Sequence, residues 1–270
     1  MMEVRTIGLV ISFGLMLLPL LIFKYMKLPL IKATGVAFLR MVVQLAVIGL
    51  ILSYIFRWDH PAITIGWLAF MVAAATYTVL ERLELPWTFL LPVVLFPLLL
   101  ASGSMLAIFA VLVVKPDTAV GYPLVNPRLL IPVFGMILGN SMNATAQALE
   151  RLASDLKANW RRYYSDITMG ARPREAAAPF IRNAMRASQM PRIMNMASVG
   201  IISLPGMMAG LIVQGADPTQ AIKYQMMVMA GIFVAVTLAV GGTLHLYVGK
   251  IFDNWYLPVP TLRRKKGLRP

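Results

Sequence analysis

Polar side chains recur on one side of an otherwise apolar segment, residues 129–149. Met136 and Asn140 lie four residues apart. Asn143 and Gln147 continue this spacing, so all four side chains share one face of a helix. Amide carbonyls and a thioether can coordinate a cation weakly or hold a polar solute, and amides can also hydrogen-bond to neighbouring helices. The pattern therefore predicts either a transport path or interhelical hydrogen bonding.

A second candidate pair, Arg40 and Gln44, lies one helical turn apart in another apolar segment. A buried arginine there could pair with an anionic group or hold carbonyl oxygens at a broken helix. It could equally extend its long aliphatic stem to the nearest aqueous surface. Because a guanidinium repels a free cation, Arg40 is not predicted to be a metal ligand.

Methionine supplies the third candidate group. Met207 and Met208 directly follow Pro205 and Gly206 in an apolar stretch. A thioether suits soft metals such as Cu(I), whereas methionine is also a common adaptable filler of apolar cores. Since the chain carries 19 methionines, packing is the simpler interpretation, and the metal ligands stay undefined.

Enzymatic chemistry is not predicted. The chain has no cysteine, which excludes disulfides, thiolate metal sites and iron–sulfur clusters. His60 and His245 have no partner at metal-ligand spacing, and no G-x-x-x-x-G-K-[ST] phosphate loop is present. We therefore expect that this chain binds no cofactor and does not hydrolyse ATP by itself. A membrane-embedded enzyme is the weaker alternative, because no carboxylate lies in the core of an apolar segment.

The composition is that of a membrane protein. Hydrophobic residues make up 59% of the 270 residues, charged residues 13%, and the mean hydropathy is +0.74. Soluble domains carry about 25% charged residues, and a bilayer core is crossed by about 17–25 apolar residues. We predict an all-α, polytopic protein of the inner (plasma) membrane, with one domain over residues 1–270. Its seven predicted transmembrane helices cover about 7–23, 33–56, 62–80, 88–114, 129–149, 193–214 and 221–249.

Loop charges set the predicted orientation. Nineteen Lys and Arg residues fall on one side of the predicted spans and five on the other. Because Lys and Arg accumulate on the cytoplasmic side, we predict an outside N-terminus and a cytoplasmic C-terminus. This distribution accounts for the net charge of +14 without nucleic-acid binding. The basic tail at 263–266 is predicted to contact membrane lipid headgroups.

The stretch 203–229 is apolar apart from one interruption around Asp217 and Pro218. This pattern predicts two membrane segments joined by an outside turn. Pro205 and Gly206 lie in the first segment, where a packed membrane helix tolerates them. They predict a break near mid-membrane that frees backbone carbonyls beside the polar face of 129–149, which makes the break a candidate gate.

The long segment of about 150–192 is predicted to be cytoplasmic and helical. Apolar residues at 149, 152, 156 and 160 recur at helical spacing, so the fifth span is predicted to continue into the cytoplasm as an amphipathic helix. Gly170 ends this helix, and a second begins near Arg174. Pro191 is predicted to mark the start of the sixth span.

The turn between those two helices resembles half of a known coupling motif. Gly170, Ala171, Arg172 and Pro173 look like the second half of the coupling motif of ABC importers and exporters. In that motif a glycine turn precedes a short helix that docks on the ATPase subunit. The acidic-Ala-Ala start of the importer motif is replaced here by Tyr164-Ser165-Asp166. The other interpretation is a basic loop lying on lipid headgroups.

Nearly the whole chain resembles the FetB-like permeases. The blocks that carry the resemblance are Arg40-x-x-x-Gln44-Leu45, Gly135-Met136-x-x-Gly139-Asn140-x-Met142, the Gly170-Ala171 turn, and Ser203-Leu204-Pro205-Gly206-Met207-Met208 through Asp217-Pro218-x-x-Ala221-x-x-Tyr224-Gln225. The resemblance implies the permease half of an ABC exporter, with ATP bound by a separate ATPase subunit. It links bacterial members to iron export, and plant members to aluminium tolerance and, with a partner ATPase, to UDP-glucose transport.

We therefore expect a permease subunit that works as a homodimer with two ATP-binding-cassette subunits. Its expected cargo is iron or another metal. The alternative cargo is a nucleotide sugar or another small polar solute.

Overall fold

The computed structural model describes residues 6–83, 87–113 and 127–251, and these ranges are almost entirely helical. The basic tail at 263–266, predicted to contact lipid, lies outside the described residues. The helices are α1 Thr6–Leu15, α2 Leu17–Tyr25, α3 Ile31–Trp58, α4 Pro61–Leu83, α5 Trp87–Val113, α6 Pro127–Ala158, α7 Trp160–Thr168, α8 Pro173–Ser198, α9 Gly206–Val213 and α10 Pro218–Ile251.

Five of these helices are long and apolar enough to cross a bilayer: α3, α4, α5, α6 and α10. They coincide with the second, third, fourth, fifth and seventh predicted spans. Those five segments are thus confirmed as long apolar helices. The all-α class also holds for the described residues, whereas the orientation of the termini stays a prediction.

The first predicted span, 7–23, is not a single helix. It divides at Met16, whose amide donates to the carbonyl oxygen of Phe13 at 3.1 Å. Pro19, in the first turn of α2, has no N–H to offer the carbonyl of Leu15. The two short helices therefore meet where one backbone hydrogen bond is missing.

The sixth predicted span, 193–214, is not continuous either. Helix α8 ends at Ser198, residues 199–205 are non-helical, and α9 has 8 residues. At 1.5 Å per residue α9 is about 12 Å long, less than half of a hydrocarbon core. Gly200 has a φ of 90°, which ends the helix, and Pro205 constrains the residue before it to extended backbone.

Pro191 does not begin a new segment, so that prediction was wrong. It lies inside α8, which continues for seven residues to Ser198. A proline removes one backbone hydrogen bond, but α8 packs on α6 and α10. The neighbouring side chains of Ser188 and Gln189 are buried in that packing, which holds the helix together across the proline.

The chain divides into two compact units, Met1–His60 and Pro61–Pro270. In the first unit, the rings of Phe13 and Phe38 pack edge to face with centroids 5.2 Å apart. Its last helix, α3, ends at Trp58, and the next residue, Asp59, takes a left-handed conformation with a φ of 44°. That the whole chain acts as one permease domain stays a prediction.

In the second unit, α10 packs against α5 and α6, and α6 also packs against α4 and α8. Gly242 of α10 lies against Pro97 of α5, where an added Cβ would meet the Pro97 Cβ at 3.1 Å. Its neighbour Gly241 has no such atom within 4 Å. The side chains that fill this core include Val94, Leu98, Leu149, Leu152 and Leu244.

This contact predicts that Gly242→Ala destabilises the protein more than Gly241→Ala. Both changes raise helix propensity equally, so their difference isolates the clash with the rigid ring of Pro97. Overpacking of one methyl group costs on the order of 1 kcal/mol. Thermal unfolding in detergent should show a lower Tm for Gly242→Ala, and equal Tm values for the two variants would contradict the close helix contact.

Candidate substrate path and coupling turn

The predicted polar face is present on α6. Asn143 is exposed, and the other three members, Met136, Asn140 and Gln147, are half-buried. The Nδ2 group of Asn140 donates to the carbonyl oxygen of Met136 at 2.8 Å, one turn back on the same helix. The Asn140 amide is therefore engaged within its own helix and is not used to bind a neighbour.

An arginine from α8 joins this face. Nη2 of Arg192 donates to the backbone oxygen of Asn140 at 3.3 Å, and Nη1 reaches Oε1 of Gln147 at 3.5 Å. Nη1 also contacts the carbonyl oxygen of Ser188 at 3.4 Å. Partial burial lowers the pKa of Arg192 from its ordinary value, but a guanidinium stays protonated at neutral pH. A positive charge therefore lies beside the amides of α6.

One turn before Arg192, a glutamine links α8 to α10. Nε2 of Gln189 donates to Oγ1 of Thr237 at 3.3 Å, and that hydroxyl donates to the carbonyl of Phe233 at 2.8 Å. Within the described residues, Oε1 of Gln189 and Oγ1 of Thr145 are buried without a hydrogen-bond partner. The contact between α8 and α10 thus contains the polar groups of Gln189 and Thr237.

Sequence reasoning missed Arg192 and Gln189 as site residues. It counted Arg192 as a loop charge because its segment was assigned to the cytoplasm. The available signal was spacing: Ser188, Gln189 and Arg192 fall within one helical turn, so they share a polar face. Identifying the partner of that face requires the packing of α8 on α6.

The predicted break at Pro205 and Gly206 belongs to the longer non-helical segment 199–205. Pro205 precedes the first turn of α9, and its carbonyl accepts a hydrogen bond from Ala209 at 3.0 Å. Met208 is buried, whereas Met207 is half-buried against the core. Helix α9 packs on α10. That carbonyls of this break face the polar side of α6 stays a prediction.

The predicted coupling turn joins α7 to α8. Gly170 has a φ of 95°, and the Ala171 amide closes the turn by donating to the carbonyl of Asp166 at 3.0 Å. The Arg172 amide donates to Oε2 of Glu175 at 2.9 Å, and Pro173 is the first residue of α8. These contacts hold a rigid turn in which Gly170 and Arg172 are exposed.

Arg40 and Gln44 belong to the first unit. They lie one turn apart on α3, as predicted, and both are exposed. Their functional role stays a prediction.

Carboxylates of the second unit pair with basic residues near the end of α6. Arg82 of α4 forms an ion pair with Glu150 of α6 through both oxygens of the carboxylate. Arg151 pairs with Asp155 at 3.2 Å, one turn along α6. Within the residues that the structure describes, no three His, Cys, Asp or Glu residues form a group that could hold a metal ion.

Comparison with known proteins places the chain in a family. The sequence profile of Uncharacterised protein family (UPF0014) matches residues 6–252. The UPF0014 membrane protein YjkA of Bacillus subtilis is 30% identical over 79% of this chain and 82% of its own length. The Probable iron export permease protein FetB of Escherichia coli is 29% identical over 84% of each chain. Protein ALUMINUM SENSITIVE 3 of Arabidopsis thaliana is 30% identical over 80% of this chain and 76% of its own length.

No solved structure matches the chain. The family match confirms the resemblance to FetB-like permeases that the sequence motifs indicate. With five long apolar helices and relatives named as membrane proteins, the chain is a multi-pass membrane protein of the UPF0014 family.

Proposed function

We propose that the chain is the membrane-spanning permease subunit of an ABC transporter, which exports iron or another metal while a separate subunit hydrolyses ATP. The relative named as an iron export permease supports the cargo. The transporter would reside in the inner (plasma) membrane, with its N-terminus outside and its C-terminus in the cytoplasm. Two copies of the permease would work with two ATPase chains.

The observation that carries this proposal is the turn from Gly170 to Pro173. It is exposed, closed by its own backbone hydrogen bonds, and followed at once by α8. A rigid exposed turn of this kind suits docking into a groove of an ATPase subunit. Ala171, which is half-buried, offers an ATPase subunit an apolar contact, and the exposed Arg172 offers it a basic one.

Helix α8 provides the physical link from the ATPase to the path. It is continuous from Pro173 to Ser198. Arg192 lies 19 residues beyond Pro173, which corresponds to roughly 28 Å along the helix. A displacement of the coupling turn, Gly170 to Pro173, would therefore be transmitted to the polar face of α6, where Arg192 contacts Asn140 and Gln147.

The alternative cargo is a nucleotide sugar or another small polar solute. The amides of Asn140, Asn143 and Gln147 offer hydrogen-bond donors and acceptors suited to such a solute. The basic side chain of Arg192 beside them favours this alternative over a free cation.

The deciding experiment is transport by the permease co-expressed with an ATP-binding-cassette subunit from the same organism. Inside-out membrane vesicles should accumulate radioactive iron only when ATP is supplied, since uptake into such vesicles is export from the cell. Parallel assays with other metals and nucleotide sugars identify the cargo. Failure of the two chains to associate, with no ATP-dependent movement of any of these solutes, would overturn the proposal.

The turn predicts that Gly170→Val uncouples the ATPase. A β-branched residue at a φ of 95° strains the backbone by about 1–3 kcal/mol and distorts the docking surface. Stimulation of ATP hydrolysis by the permease should fall about tenfold, as expected for a loss of about 1.4 kcal/mol of coupling.

The matched control is Gly215→Val, because Gly215 has a φ of 92° in the turn between α9 and α10. It should lower the thermal stability by a similar amount and leave the stimulation of the ATPase unchanged. Equal loss of stimulation in both variants would show that strain, and not docking, is responsible.

The polar face predicts that Asn140→Leu and Asn143→Leu each lower transport by about tenfold, since one lost hydrogen bond to a solute costs about 1–2 kcal/mol. Assembly with the ATPase should stay intact. Asn183→Leu, at an exposed position of α8, serves as the control. Normal transport rates in both α6 variants would place the path elsewhere.

A further inference from the structure

We propose that Arg192 binds an anion: its guanidinium, set against the polar face of α6, holds the phosphate or carboxylate group of the transported solute. This inference rests on the proposed transport function and narrows its substrate class. The cargo is an anionic solute, and a metal ion would pass as its complex with such an anion.

The first argument is how weakly Arg192 is engaged. A guanidinium has five N–H donors. Its three hydrogen bonds in the structure, at 3.3–3.5 Å, are longer than the usual 2.7–3.2 Å. All three acceptors are uncharged oxygens of Asn140, Gln147 and Ser188. Two of the five N–H groups of Arg192 thus make no hydrogen bond in the structure, and the other three make only long ones, so the guanidinium can take another ligand.

The second argument is charge. In the ion pairs of the described residues, Arg82 faces Glu150 and Arg151 faces Asp155. Arg192 is half-buried among neutral groups instead. A partly desolvated cation gains most from a ligand that brings a negative charge and accepts two parallel N–H bonds, as phosphate and carboxylate do.

The third argument is the set of neighbouring donors. Gln147 accepts from Arg192 through Oε1, so its NH2 group stays available as a donor. Asn143 is exposed on the same face, one turn from both Asn140 and Gln147. A guanidinium flanked by amide N–H groups complements the oxygens of an anion, whereas it repels a bare metal cation.

The position of Arg192 also gives the anion a role in coupling. Arg192 lies on α8, the helix that directly follows the coupling turn of Gly170 to Pro173. An anion that bridges Arg192 to the α6 amides would therefore connect the helix that the ATPase displaces to the helix that lines the path.

The test measures anion binding by the full-length permease in phosphatidylcholine nanodiscs, without the ATPase. Thermal unfolding is followed with inorganic phosphate or citrate against chloride at equal ionic strength, and with Mn²⁺ alone. We expect phosphate or citrate to raise Tm by at least about 2 °C. Mn²⁺ alone should give no stabilisation that depends on Arg192.

Three variants assign the effect. Arg192→Gln should abolish the rise in Tm, and Arg192→Lys should keep a smaller rise because the charge stays while the two-pronged geometry is lost. Arg186→Gln, at an exposed arginine of the same helix, should keep the full rise. If Arg192→Gln does not fold, the comparison of Arg192→Lys with Arg186→Gln still decides, since equal rises in both would contradict the proposal.

Other outcomes overturn the inference. The proposal is contradicted if phosphate or citrate raises the Tm of Arg192→Gln as much as that of the unaltered protein. It is also contradicted if neither anion raises the Tm of the unaltered protein above its value in chloride. Nanodiscs containing phosphatidylglycerol test the lipid source: stabilisation that needs Arg192 and this lipid, with none from phosphate or citrate, would identify a lipid headgroup as the ligand and overturn solute binding. Because this assay contains no ATPase, its result is independent of whether the chain couples to one.

Discussion

Satisfying the backbone polar groups inside an apolar environment is the constraint on which this structure depends. Where water is absent, an unpaired N–H or C=O costs several kcal/mol, so the chain crosses such a region as a continuous helix. Some hydroxyl groups of the helices are satisfied in the same way, within their own helix. Those of Thr76, Ser141 and Thr237 each donate to the carbonyl four residues earlier on their own helix. The hydrogens of these three hydroxyl groups are thereby bonded without an acceptor from another helix.

The same constraint shapes the interruption between α8 and α9. The segment 199–205 is not helical, yet its polar groups are partly paired: Gly200 donates to the carbonyl of Ser203 at 2.9 Å, and Ile202 donates to that of Ser198 at 3.0 Å. The positive φ of Gly200 makes this compact turn possible without strain. The break is therefore a defined structural element, and it leaves α9 too short to span a bilayer alone.

Hydrophobic length predicted the five long helices because one physical quantity, apolar run length, decides them. It failed near Met16 in the first predicted span and at Gly200 in the sixth, since a hydropathy average does not register the local backbone conformation. The α6 face was predicted because spacing along one helix fixes it. The role of Arg192 was not predicted, since counting loop charges does not distinguish one arginine of a loop from another. Its contact with Asn140 depends on the packing of α8 against α6, which spans 52 residues of sequence.

Helix α8 differs from the five long apolar helices because it connects the turn at Gly170 to the polar face of α6. Its buried face combines the small residues Ala176, Ala177 and Ala184 with the large side chain of Phe180, and it packs on α6 and α10. Gln189 makes a polar contact with α10, and Arg192 makes one with α6. These contacts define the position of α8 along its own axis. Under the proposed function, a ligand that changes the contacts of Arg192 would shift α8 along its axis, and the helix would carry that shift to the turn at Gly170.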